Sequence, residues 1–110
     1  MAGRDNSGPR REGGTEPITQ MRTRTALPKL YKVLLHNDDF TTMDFVVAIL
    51  ETVFNHGELE ATAIMLSVHR TGVGVAGIYT HEVAETRVAQ VSEMARGAGY
   101  PLLCTLEPES

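Results

Sequence analysis

Apolar positions between residues 30 and 106 recur in short blocks, separated by glycines, prolines and acidic turns. Leu30 to His36 (LYKVLLH), introduced by Pro28, alternates Tyr31, Val33 and Leu35 with Leu30, Lys32 and Leu34. A period of two with both sides largely apolar predicts a buried strand. From about Thr42 to Asn55, Met43, Val46, Val47, Leu50 and Phe54 form one stripe at helical spacing. Thr41 and Asp44 have the spacing of a capping box, so this helix is expected to begin just after Thr41. Asn55-His56-Gly57 is expected to end it. A second helix runs from Glu58 to about Arg70, stopped by Thr71-Gly72, with Ala61, Met65, Val68 and His69 on one face and Ile64 and Leu66 elsewhere. Val73 to Thr80 reads as a second strand. Thr80 is expected to cap a third helix whose buried stripe is Ala84, Val88, Val91 and Ala95, ending near Gly97. Gly99-Tyr100-Pro101 makes a turn into a last strand, Leu102 to Leu106. The order β-α-α-β-α-β with unequal crossovers predicts an α+β sheet with its helices on one face. Periodicity leaves the pairing order of the strands open.

Composition narrows the class. At 110 residues the chain is one domain with a tail. Residues 1–26 hold four glycines, two prolines and eight charges without helix or strand period, so a flexible extension is expected there and a core domain over 27–110. Five arginines against Asp5, Glu12 and Glu16 make the extension about +2; with a total of −4, the rest carries about −6. An acidic body argues against nucleic acid as a partner. The longest apolar run, Phe45 to Leu50, is six residues, too short to span a membrane. The first residues show neither an apolar signal region nor a myristoylation pattern. A single cysteine, Cys104, has no internal disulfide partner and fits a small core position. The expectation is a cytoplasmic protein, with a monomer as the default.

Candidate chemistry gathers at residues 36–45, HNDDFTTMDF, an acidic turn joining the first strand to the first helix. Asn37, Asp38 and Asp39 are good turn residues in any protein. They also suit a cation, whether metal or ammonium. Asp38, Asp39 and His69 are possible metal ligands by type, but the EF-hand, HxxxH and CxxC spacings are all absent. An ammonium group is the other guest. Carboxylate and amide oxygens accept its N–H groups, and a neutral histidine nitrogen accepts another. A free α-amino group is largely charged at neutral pH. Met43, Val46, Met65, Val68 and Leu102 would give such a cleft an apolar floor, and methionine adapts to bulky guests. The same residues also read as plain core. Gly72, Gly74 and Gly77 spell G-x-G-x-x-G, but they fall before and inside a strand instead of opening a helix, and position 97 is Gly where an acidic residue would be needed. They are expected to permit close backbone approach or a bulge. No serine or cysteine sits in a nucleophile setting.

The chain resembles the ClpS adaptor family over residues 28–107. The resemblance is carried by LYKVLLHNDDFTTMDFVVAILETVF (30–54), ATAIMLSVH (61–69), GIYTHEVAETRVAQV (77–91) and YPLLCTLE (100–107), in matching order and spacing. It implies a three-stranded antiparallel sheet packed against three helices, similar to the ribosomal L7/L12 C-terminal domain, behind a flexible N-terminal extension. It implies an adaptor that catalyses nothing and needs no cofactor or metal. Such an adaptor binds N-degron substrates beginning with Leu, Phe, Tyr or Trp and delivers them to the ClpAP protease. By motif match, Asn37, Asp38, Asp39 and His69 would hold the α-amino group. Thr41, Met43, Val46, Met65, Val68 and Leu102 would shape the side-chain pocket, with Met43 as gatekeeper against β-branched residues. Glu82 and Arg87 would dock on the N-terminal domain of the AAA+ unfoldase ClpA, and residues 1–26 would engage it during hand-over.

The sequence departs from the family pattern at a few positions. His36 stands where an aliphatic residue is usual, Phe40 for Tyr, Thr42 for Pro, Asp44 for Glu and Arg87 for Lys. The changes at His36 and Thr42 bear on loop rigidity and on the ranking of first residues. Two rival readings stand beside this one: from the residues, a metal-dependent enzyme on Asp38, Asp39 and His69; from the fold that the resemblance implies, a protein-binding module of the L7/L12 type that reads a folded partner.

Overall fold

The computed structural model describes residues 27–110; the extension expected over 1–26 lies outside them. The strand richest in aliphatic residues takes the centre of the sheet. This is β1 (Leu30–His36), with β2 (Val73–Thr80) along one edge and β3 (Leu103–Pro108) along the other, both antiparallel to it. Between β1 and β2 come α1 (Met43–Thr52) and α2 (Glu58–Thr71); between β2 and β3 comes α3 (His81–Ala98). α1 packs on α2, α2 on β2, and α3 crosses all three strands. The predicted α+β order is the observed one.

Alternation along β1 decides which face the helices cover. Val33 and Leu35 are buried beneath them, together with Ala76, Leu102 and Cys104. On the opposite face the register places Leu34 beside Val75, Lys32 beside Ile78 and His36 beside Leu103. Val75, Ile78 and Leu103 are exposed there, so β1 is not buried on both sides as its composition suggested.

Several local expectations need correction. The stripe of α1 is Val46, Ile49, Leu50 and then Val53, with Ile49 fully buried and Met43 44% exposed. Val46, Leu50 and Phe54 are buried as expected; the apolar run from Phe45 to Leu50 satisfies more than one helical phase, so the expected stripe omits Ile49 and includes the exposed Met43. The cap of α1 is Thr42, whose hydroxyl accepts the N–H of Phe45 at 3.1 Å. Thr41 lies one residue ahead of the cap, in the turn, where its hydroxyl donates to Asp38. α1 also stops earlier than expected, at Thr52, and Asn55 adopts a left-handed φ of 60° in the turn beyond it. Thr80 occupies the N-cap of α3 but makes no side-chain capping bond. β3 begins at Leu103, one residue later than expected, and continues to Pro108.

The glycines of the rejected dinucleotide motif have conformational roles. Gly72 ends α2 in the left-handed region, φ 94°. Pairing of β1 with β2 shifts between Val33 and Leu34, leaving Ala76 as the extra residue of a bulge just before Gly77. The carbonyl of Ala76 accepts a hydrogen bond from Nε2 of His56 at 2.6 Å, so a side chain from the α1–α2 turn satisfies what the ladder leaves unpaired.

Candidate functional site

The segment 37–42 leaves β1 and must reverse into α1. Asp38 fixes how it does so. Its Oδ1 accepts the N–H groups of Phe40 and Thr41, each at 2.8 Å, and its Oδ2 accepts the Thr41 hydroxyl at 2.7 Å. Burial pushes the Asp38 carboxyl up, but the Thr41 hydroxyl and the two amide donors outweigh it, and the group titrates below the usual carboxylate range. At neutral pH it is a fixed anion pinning the loop. A second tie closes the base of the loop: the N–H of Asn37 donates to the carbonyl of Gly72 at 2.9 Å. The end of β1 is thereby bound to the end of α2.

These ties enclose a cavity of about 240 Å³ between the loop, the start of α1 and the last turns of α2. Asn37, Asp38, Asp39 and His69 stand along it, with Thr41, Met43, Val46, Met65 and Val68 completing the lining. Residues separated by more than twenty positions in sequence are thus brought to one hollow because α1 and α2 fold back on each other. Met43 is exposed at the opening, Met65 is 8% exposed and Val68 buried within. The arrangement combines oxygen and imidazole acceptors with aliphatic and thioether walls, which suits a guest that is cationic at one end and apolar at the other. Leu102, expected in the pocket, lies outside this lining, buried in the core. Among the described residues no three His, Cys, Asp or Glu side chains are grouped as a metal-ligand set.

The pair expected on a docking surface lies on α3. Glu82 is exposed in its first turn. Arg87 is half-buried, its guanidinium 5.5 Å from the centre of the Tyr79 ring, with Nη1 donating to Gln90 at 3.4 Å. With Gln90, Glu93 and Met94, and with Thr52 and Val53 at the end of α1, Arg87 lines a separate groove of about 400 Å³. No described helix is long and apolar enough to cross a membrane.

Two contributors to the cavity escaped the sequence reading. Thr42 caps α1, and the carbonyl of Gly72 anchors Asn37. Gly72 was visible as a helix stop; its bond to the loop depends on tertiary closure and leaves no local trace.

A family model described as "ATP-dependent Clp protease adaptor protein ClpS" matches residues 26–105. The chain belongs to the ClpS family. Among its ClpS relatives, the adapter protein from Desulfatibacillum aliphaticivorans is 56% identical over 92 residues, covering 84% of this chain and 88% of that one. The ClpS of Caulobacter vibrioides (strain NA1000 / CB15N) is 50% identical over 109 residues, covering 99% of this chain and all of its own. Among solved structures, Agrobacterium tumefaciens ClpS2 bound to L-phenylalaninamide is similar with a TM-score of 0.72 and 40% identity, covering 74% of this chain and 99% of that one. This ClpS family member therefore shares its fold and most of its length with Clp protease adaptors.

Proposed function

We propose that this chain binds the free α-amino group and the bulky hydrophobic first residue (Leu, Phe, Tyr or Trp) of N-degron substrates and delivers them to the ClpAP protease. The observation that carries the proposal is the composition of one cavity: Asn37, Asp38, Asp39 and His69 beside walls of Met43, Val46, Met65 and Val68. L-Phenylalaninamide, the ligand of the ClpS2 relative, has a free amine, a phenyl side chain and an amide in place of the carboxylate. That is the chemistry of a chain beginning with Phe. A 40% identical relative with such a ligand supports the same guest here.

The parts divide the work by chemistry. Asn37, Asp39 and His69 accept from the ammonium group, and Asp38 adds its fixed charge while holding the loop. Met43 closes over the first side chain and disfavours branching at its β-carbon. Burying a Leu or Phe side chain contributes about 1.5–3 kcal/mol, and each charge-assisted hydrogen bond about 1.5–3 kcal/mol. Ordering the bound peptide costs part of that. The remainder is close to the roughly 8 kcal/mol of a micromolar complex, fitting an adaptor that must release its cargo. Glu82 and Arg87 on α3 meet the N-terminal domain of the ClpA-type unfoldase, and residues 1–26 engage it during hand-over.

A binding screen of peptides differing only in the first residue tests the reading. Leu-, Phe-, Tyr- and Trp-initial peptides are expected to bind and Gly- or Glu-initial ones not. Equal binding across the set would instead favour a module reading folded partners.

A further inference from the structure

Gly74 pairs with Leu35, on the face of the sheet that carries the helices, and the last turns of α2 rest against it. A β-carbon built at Gly74 would stand 2.6 Å from Cγ2 of Val68, 3.6 Å from the Val68 nitrogen and 3.7 Å from the Ile64 carbonyl oxygen. The two main-chain distances are ordinary contacts. The methyl distance is far inside carbon–carbon contact, so Val68 would have to move. A valine in a helix has essentially one χ1 well, so its methyl groups do not simply rotate aside. Val68 is 2% exposed, packed in the core, and it also lines the cavity. The open space beside it is the cavity itself.

We infer that Gly74 sets how large a first side chain the cavity admits, acting through Val68. It is a positioning residue: it is absent from the cavity lining, and its missing side chain lets α2 settle onto β2 with Val68 held back. The inference rests on the N-terminal recognition reading above. A side chain at position 74 drives Val68 into the hollow, which leaves room for Leu and takes it from Phe, Tyr and Trp. Space equal to one methylene in an apolar pocket discriminates by about tenfold or more.

The test uses the full chain and peptides identical except for a Leu or Phe first residue, with dissociation constants read by fluorescence anisotropy. Gly74→Ala is expected to lower the Phe-to-Leu affinity ratio by about tenfold. Val68→Ala, which removes the clashing methyl and itself alters the cavity wall, is made alone and together with Gly74→Ala; in the Val68→Ala background, adding Gly74→Ala is expected to change the ratio by less than about twofold, because the two positions are coupled. Gly97→Ala, at a helical glycine with nothing within 4 Å of an added β-carbon, is expected to leave the ratio unchanged. A purely structural role for Gly74 would weaken both peptides alike, and that result, an unchanged ratio, or the same tenfold fall on adding Gly74→Ala to Val68→Ala would each overturn the inference. Should Gly74→Ala alone not fold, the paired variant is expected to fold and to show the ratio of Val68→Ala alone; an unfolded pair also overturns it. A parental protein that binds the Leu peptide no better than its N-acetylated form overturns the recognition reading as well, so the two failures are told apart.

Discussion

The cavity beneath residues 37–42 and the groove beside Arg87 are both hollows lined by helices, yet they are built differently. The groove is the larger, about 400 Å³ against about 240 Å³. Its walls are the end of α1 and one side of α3, and among the described residues the buried Nε of Arg87 has no hydrogen-bond partner. The smaller cavity has walls from three segments: its loop is braced internally by the Asp38 carboxylate and tied to the end of α2 by the Asn37 to Gly72 bond. The loop that carries Asn37, Asp38 and Asp39 is braced by these bonds, and a braced loop lowers the cost of binding a small flexible end. The groove offers one cation and side chains that are mostly exposed, which suits contact with a surface. Fixed geometry distinguishes the two better than volume does.

Each of the following outcomes would break or sharpen that contrast. The largest effect is expected from the ligand: N-acetylation of a Leu-initial peptide removes the charge and donors and should abolish binding in a titration that reaches millimolar peptide, while retained binding would refute amine recognition. Next, Asp39→Ala should weaken peptide binding by at least about tenfold, as expected for one charge-assisted bond, with an unchanged circular dichroism spectrum. Asp38→Asn should act on the loop more than on the amine and cost about 1 kcal/mol of stability, the scale of a hydrogen bond to a charged group weakened to a neutral one. Because the Asp38 carboxyl is lowered in the folded state, its contribution is present above the ordinary carboxylate range near pH 4. It is lost as pH falls through the lower folded value. Melting temperatures of the parent and Asp38→Asn should therefore differ at pH 7 and converge in strong acid; a constant gap would mean the charge is not what holds the loop. Met43→Ala should leave Leu binding within a few fold while admitting Ile and Val, which a peptide array reads directly. The smallest effect on peptide affinity is expected from Arg87→Ala, within about twofold because the groove shares no residue with the cavity; delivery to the unfoldase should fall. A peptide-affinity loss comparable to that of Asp39→Ala would mean the two hollows are coupled.

Much of this was legible in the sequence. The alternation of LYKVLLH, the glycine stop at Gly72 and the stripe of Ala84, Val88, Val91 and Ala95 declare their elements, although α3 runs past Gly97, where its end was expected, to Ala98 with Gly99 as its cap; the NDD turn declares a candidate site. What escaped is what tertiary contacts decide. Thr41 and Thr42 are equally good caps locally; Asp38 claims the first and leaves the second to α1. Ile49 was misplaced because a continuous apolar run has no unique phase. Leu102 has the composition of a pocket residue but is buried in the core just ahead of β3. His56 looked like helix punctuation, and its bond to the bulge at Ala76 follows from a register that no local pattern encodes.

The clasp between Asn37 and Gly72 has an experimental use. This amide, 2.9 Å from its carbonyl, is the seam where the two sides of the cup meet. Hydrogen–deuterium exchange at that one proton becomes a gauge of assembly: slow while the cup is whole, fast once the seam parts, and readable with no cargo present.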